Sequence, residues 1–297
     1  MVLTLVGMAV NFSNTIKAIT IKPPAMHKTT YQKELVISAT QKKNGSHNTK
    51  KDVMKIQSWL TLFSMSNSNA ATATGIDGDF GPATEQAVKN FQKAKGITQN
   101  GIVDQSCFDL LVAPLSQAFE GNPAGSSLRQ LVLNTATLHT KQHPFELNIS
   151  SQSNMGPWVR AYMDGHEGSP WFWCMGFVQA IIDQAASLLD KSFKILMPLT
   201  YSCDVVGTTG LQKGLLTRYN HVRNDPSIMK PGDIFLLQKA PHDWIHTGII
   251  TAIGNDTIEC VEGNTNTGGS SNGNAVLKRI RNFRQSKIDV FSIEPLV

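Results

Sequence analysis

The chain has 297 residues, room for about two domains at roughly 150 residues each. Its 41% hydrophobic and 16% charged residues can bury a core, which excludes a disordered polyelectrolyte, and no apolar run approaches the ~18 residues of a membrane-spanning helix. The formal charge of +5 is uneven: residues 1–50 hold seven Lys against one acid, Glu34, while residues 116–297 balance.

Residues 1–34 read as a basic, flexible leader. Pro23 and Pro24 break any regular element there. The apolar start, MVLTLVGMAV, has no basic residue before Lys17 and no small-residue cleavage site after it, so it reads poorly as a secretory signal. Residues 34–39 look extended, and Asn44-Gly45 is a turn. A helical unit follows over residues 35–115. Thr49 and Asp52 resemble a capping box, and Val53, Ile56, Leu60 and Phe63 mark one helix face. Pro82 opens a second helix with Ala87, Val88 and Phe91 as its buried stripe; a third carries Phe108 and Leu111. Asp77 and Asp79 do not start a calcium loop, because Gly81 and Pro82 stand where ligands are needed. The unit is slightly acidic, five Lys against six acids over residues 51–115, which argues against nucleic acid as partner.

Residues 116–126, with Gly121, Pro123 and Gly125, read as a linker. Helical periodicity returns at Leu128, Leu131 and Leu138 and ends near Pro144. Ser169-Pro170 is a start signal for a strongly amphipathic helix through Phe177, Ile181 and Leu188, which puts Cys174 in or near its first turn. Free N–H groups and the helix dipole stabilise a thiolate there. Residues 229–237 form a turn feeding a strand, 245–253 a second strand starting at His246, and 257–266 a third, hairpinned through Asn255-Asp256. Alternation puts Cys260, Glu262 and Asn264 on one side, provided the strand stays regular through Gly263, with His246 across the ladder. A Cys at a helix start facing a His and a carboxylate or amide is the arrangement that activates a thiol. Spacing alone leaves open whether Glu262 or Asn264 orients His246.

Other polar groups read blandly. Four cysteines without a CxxC motif support neither a zinc ribbon nor a disulfide scaffold, and whether the other three pair is open. His139 and His143 are spaced as a metal pair but lack a third ligand, so they read as solvated; no metal or cofactor is expected. Asp233 after Pro231-Gly232 reads as a turn cap. Lys278, Arg279, Arg281 and Arg284 read as a solvated basic edge. Trp171, Phe172 and Trp173 either line a substrate cleft or cover the helix end.

Two resemblances rest on these residues. Val53, Ile56-Gln57, Leu60, Asp77-Gly78-x-Phe80-Gly81-x-x-Thr84, Ala87-Val88-x-x-Phe91-Gln92 and Gly101-Ile102-Val103 resemble the three-helix peptidoglycan-binding module, with Cys107 in place of a common Thr. The resemblance makes Asp77 and Phe80 candidate wall contacts. Trp173-Cys174-x-x-Phe177-Val178, Pro231-Gly232-Asp233-Ile234, His246-Thr247-Gly248 and Glu262-Gly263-Asn264, with Gly156-Pro157 upstream, resemble the CHAP family of cysteine, histidine-dependent amidohydrolases/peptidases. Met175 departs from the small residue frequent there. This implies an α+β chain: an all-α module, then a papain-like α+β domain over residues 127–297 that hydrolyses peptidoglycan amide bonds. It implies Cys174 as nucleophile, His246 as base, Glu262 and Asn264 as orienting groups, and Trp171 and Trp173 as substrate contacts. A non-catalytic wall-binding adaptor is the alternative. Expected partners are wall peptide and glycan, with a delivery or immunity protein a further candidate. The expected chain is a monomer acting at the bacterial wall, on its periplasmic or extracellular side.

Overall fold

The computed structural model describes residues 26–297, so the apolar start and most of the basic leader lie outside the described residues. The architecture is α+β, helices first and antiparallel strands after, as expected.

Helix α1 (Lys50–Ser66) begins where Thr49 Oγ1 accepts the Asp52 N–H at 3.1 Å. Only half of the capping box forms. The Asp52 carboxylate turns away and accepts from Ser38 N–H and Ser38 Oγ at 2.9 and 2.5 Å, fastening the preceding segment to the helix. That segment is not the extended piece expected at residues 34–39: Leu35 is helical in conformation and no strand forms. Helix α2 (Pro82–Ala94) has Pro82 in its first turn, where a missing N–H costs nothing. Helix α3 (Gln105–Glu120) starts on an Asp104 cap. Val53, Ile56, Leu60, Val88, Phe91 and Phe108 meet in the core between the three. Each such large side chain contributes ~1.5–3 kcal/mol by leaving water.

Two boundaries differ from the expected ones. Residues 26–34 are docked. Lys28 is fully enclosed, with Nζ 2.5 Å from Asp164 and its N–H on Asp183 Oδ2 at 2.8 Å. Tyr31 stacks on Phe119 at 4.5 Å, and Glu34 accepts the Arg160 fork at 3.0 and 2.7 Å. Likewise, the first five residues of the expected 116–126 linker, 116–120, are helix. Leu115, Ala118 and Phe119 continue the apolar stripe of α3, and Phe119 packs among Tyr31, His139 and Tyr162. Helix α4 (Leu128–Lys141) then starts on a Ser127 cap. One apolar cluster runs through both halves, with Trp59 edge-on to Trp158 at 5.8 Å, and a second, around Phe235, Ile250 and Phe283, belongs to the sheet half alone.

The second half opens with a small hairpin, β1 (Leu147–Ile149) and β2 (Gln152–Met155), and helices α5 (Pro157–Tyr162), α6 (Cys174–Ser187) and α7 (Cys203–Lys213). Strand β3 (Leu216–Thr217), helix α8 (Tyr219–Asn224) and strands β4 (Ile234–Ala240), β5 (Asp243–Ile253), β6 (Thr257–Thr265), β7 (Ala275–Asn282) and β8 (Ile288–Phe291) complete it. The six-stranded antiparallel sheet has the order β3-β8-β4-β5-β6-β7. The expected hairpin joins β5 to β6, with Ile249 opposite Val261. Helix α6 is buried along its whole length and lies against β5, β6 and α4. It comes close enough to β6 that a Cβ on Gly263 would stand 2.6 Å from Phe177 Cβ, so only glycine fits. This closeness brings the first turn of α6 to the middle strands.

Candidate active site

Cys174 is the first residue of α6, and the residue before it stands at the cap position without a side-chain cap. The first helical bond runs from Phe177 N–H to Trp173 O at 3.0 Å, which leaves the N–H groups of residues 174–176 without helical acceptors. The thiol is 3% exposed and titrates well below the ordinary thiol range. A hydrogen bond from Cys203 is the largest cause; burial opposes it; the His246 imidazole and the Met175 N–H add to it.

His246 lies on β5 opposite Leu237 and is fully buried. Its Nε2 is 2.9 Å from Glu262 Oε2, while Nδ1 has no hydrogen-bond partner among the described residues. An ionised Glu262 accepts, so Nε2 carries the proton and Nδ1 is the nitrogen left to serve the thiol. Burial pulls the imidazole pKa down, but the neighbouring Cys174 sulfur and the Glu262 carboxylate raise it to about 9. Both shifts act in one direction, favouring a proton on the imidazole over one on the sulfur.

Glu262, on β6, is as buried as His246. Burial alone would raise its pKa; His246 and Arg281 bring it to about 2. Arg281 comes from the neighbouring strand β7 and grips the carboxylate with Nε and Nη2 at 2.5 and 2.6 Å. Cys260 Sγ donates to Glu262 Oε1 at 3.0 Å. A Cβ on Gly248 would stand 2.8 Å from Glu262 Cγ and 2.7 Å from Val261 O, so a bare backbone is needed beside the carboxylate. The run Cys174, His246, Glu262, Arg281 therefore alternates charge across a dry interior.

Asn264 is not part of that run. The regular pairing of β6 with β7 breaks between Glu262 and Thr265, and Asn264 has φ +55°. Its side chain is thereby sent to the start of α6: Oδ1 accepts Trp173 N–H at 3.2 Å, and Nδ2 donates to Gly273 O at 2.6 Å and Asn154 Oδ1 at 3.1 Å. Of the two orienting groups left open by spacing, only Glu262 touches the imidazole; Asn264 holds the helix terminus that presents Cys174.

Trp173 is also reassigned. It is enclosed, donates Nε1–H to Glu146 Oε2 at 2.8 Å and lies parallel to Tyr162 at 5.8 Å, so it covers the helix end and cannot meet a substrate. Trp171 is half-buried on His166, with ring centroids 4.2 Å apart, and Phe172 is exposed. In the helical unit Phe80 is core rather than wall contact. Asp77 is exposed, but its Oδ1 accepts from Gln57 Nε2 at 2.7 Å and Asp79 N–H at 2.9 Å. Gln57 Oε1 in turn accepts the N–H groups of Asp77 and Gly78 at 3.1 and 2.8 Å. Within that motif the two residues close a loop.

Several bland readings change too. His139 is not solvated: it is fully buried between Tyr162 Oη and Gln184 Oε1, each at 2.9 Å, and burial drops its pKa to about 4. Only His143 is exposed. Asp233 caps its turn by accepting Lys230 N–H at 2.9 Å and also pairs with Arg129 at 2.9 Å. β7 is an edge strand, yet Arg281 points inward from it to Glu262, while Arg284 lies beyond its end on Asp256. All four cysteines are free. Cys203 and Arg281 stand in this site without a signal in the chain order that places them there. Ser202 ahead of Cys203 is a helix-start signal, but nothing in the chain order says that this start meets that of α6.

A family model described as a putative peptidoglycan binding domain matches residues 49–111. No curated protein and no solved structure matches the chain. The helical unit is therefore a peptidoglycan-binding module, and it associates the chain with the cell wall.

Proposed function

We propose that the sheet-bearing half is a thiol hydrolase of peptidoglycan amide bonds, an N-acetylmuramoyl-L-alanine amidase or a peptidoglycan endopeptidase, as its CHAP-like motifs suggest. The observation that carries the reading is His246, bound to Glu262 through Nε2 and free at Nδ1, electrostatically coupled to a thiolate at a helix start. The Cys174 thiolate attacks the amide carbonyl. The oxyanion forms near the N–H groups of the α6 first turn, which have no helical acceptors. Imidazolium His246 gives its proton to the departing amine, the C–N bond breaks, and a thioester remains on Cys174. Water, deprotonated by the now neutral His246, then attacks the thioester and frees the acid and the thiolate. Glu262, fixed by Arg281, stabilises the imidazolium between these steps.

The peptidoglycan-binding module supports the substrate class. Because the module and the sheet share one apolar cluster, binding the wall presents the site at a fixed orientation and a raised local concentration. The wall is reached from its periplasmic or extracellular side. Release by a phage and injection into a rival cell fit the same chemistry. The test is digestion of purified sacculi followed by mass spectrometry of the fragments. Wild type releases new amine and carboxyl ends at one kind of amide bond, and Cys174→Ala lowers the rate by ~10³-fold or more. Intact sacculi with wild type would leave a wall-binding adaptor instead.

A further inference from the structure

A second thiol stands beside the reactive sulfur. Cys203 is the first residue of α7, an eleven-residue helix capped by Ser202, and its Sγ is 3.9 Å from Cys174 Sγ. Both residues are almost enclosed, at 8% and 3% exposure, so a small oxidant reaches them more readily than a protein does. The other two thiols bond elsewhere. Cys107 accepts from Gln92 Nε2 at 3.8 Å, and Cys260 donates to Glu262. In the proposed hydrolysis Cys203 serves only as a hydrogen-bond partner of Cys174, a role that does not call for a second oxidisable sulfur.

We propose that Cys174 and Cys203 form a reversible disulfide that switches the site off, with a hydroperoxide as the oxidant. The proposal rests on the reading of Cys174 as the reactive thiolate. In the first step the Cys174 thiolate attacks one peroxide oxygen. An S–O bond forms, the O–O bond breaks, and the departing oxygen takes the proton of imidazolium His246, so water leaves when the oxidant is hydrogen peroxide. Cys174 is now a sulfenic acid, oxidised by two electrons. Cys203 then loses its proton and attacks the Cys174 sulfur. An S–S bond forms, the S–O bond breaks, and hydroxide leaves as water with that proton. Two thiols and one peroxide thus give one disulfide and two waters. The sulfurs must close by about 2 Å to reach bonding distance.

Charge and hydrogen bonding favour this order of events. Cys203 hydrogen-bonds to the Cys174 thiolate and is held well above the ordinary thiol range by that bond first and by burial second. Cys174 is therefore the sulfur that meets the oxidant, and Cys203 is the protonated neighbour that resolves it. Burial holds Cys107 up at about 11, and Cys260 is likewise raised, so neither competes as thiolate. Wall association places the chain where disulfides persist. The bond also spares Cys174 from sulfinic acid, which thiols do not reverse.

The experiment uses the full chain, reduced, freed of reductant, exposed to hydrogen peroxide, alkylated and mapped by peptide mass spectrometry. A linked peptide pair containing Cys174 and Cys203 is expected, with sacculus digestion down about tenfold or more and recovered in dithiothreitol. In Cys203→Ser no linked pair forms, Cys174 proceeds to sulfinic acid, and dithiothreitol does not restore that variant's own starting rate. Cys174 found as sulfinic acid beside an alkylated Cys203 in the wild type would overturn the proposal, as would full recovery of Cys203→Ser. The two readings separate cleanly. A linked pair in a chain that never digests sacculi upholds the disulfide and sinks the hydrolase; digestion without a linked pair does the reverse.

Discussion

The two halves of this chain bury polar groups in opposite ways. In the helical module, Gln57 sits in the core with both ends of its amide satisfied: Nε2 reaches Asp77, Asp79 O and Thr84, and Oε1 takes two loop N–H groups. A neutral amide in that place costs little once bonded, and it closes the Asp77–Gly81 loop as a covalent staple would. In the sheet half the buried groups are a thiolate, an imidazolium, a carboxylate and a guanidinium, each desolvated and each dependent on the next. An apolar cluster of the same volume is often at least as stable as such a chain of charges, so folding alone does not call for it, and the proposed hydrolysis gives it a use. The comparison separates a polar network that shapes a fold from one that, on the proposed reading, prepares a reaction.

Substitutions sharpen that contrast. The largest stability loss is expected from Phe80→Ala, which opens a cavity in the module core and costs about 3–5 kcal/mol in denaturant unfolding. A change in wall binding with no stability loss would return Phe80 to the binding surface. Arg281→Met is next. It leaves Glu262 buried with one partner fewer, and digestion of sacculi falls about tenfold or more. Its signature is a pH profile. Without the guanidinium the Glu262 pKa rises from about 2, so the acid limb of activity moves to higher pH while the limb near pH 9 stays. An unshifted profile would mean that Arg281 serves only the edge of the sheet. The smallest effect belongs to Asp77→Asn, which keeps the Oδ1 acceptor for Gln57 and the Asp79 N–H and costs under about 1 kcal/mol, with wall pull-down unchanged. A lost pull-down would show that the charge itself meets the wall.

The same charges set a stability window. His246 has its pKa raised from 6.5 to about 9, so its contribution is fully present below about 6.5 and lost as pH rises through about 9. Glu262 is depressed from 4.5 to about 2, so its contribution is present above about 4.5 and lost as pH falls through about 2.

Local signals in the chain predicted local structure well. Thr49 and Pro82 mark helix starts, Asn255-Asp256 marks the hairpin, and alternation on β6 pairs Glu262 with a histidine sixteen residues away. What failed depends on closure in three dimensions. Asn264 was read by period two, and a left-handed residue after Gly263 ended that period. Arg281 looked like an exposed edge charge because nothing in its neighbours reveals which side of β7 faces Glu262. Lys28 and Phe119 looked like leader and linker because their partners, Asp164 and Tyr31, lie far along the chain. Cys203 belongs with them: two ordinary helix starts become a thiol pair only when α6 and α7 are packed.

The central claim, that Cys174 is a thiolate supported by His246 as well as by Cys203, is most directly measured by the pH dependence of iodoacetamide alkylation at Cys174, located by mass spectrometry. The account predicts that the site-specific rate stays high well below pH 9, the range of an ordinary thiol, and that His246→Ala moves the rise upward. A wild-type rate that rises only near pH 9, unmoved by His246→Ala, would contradict it.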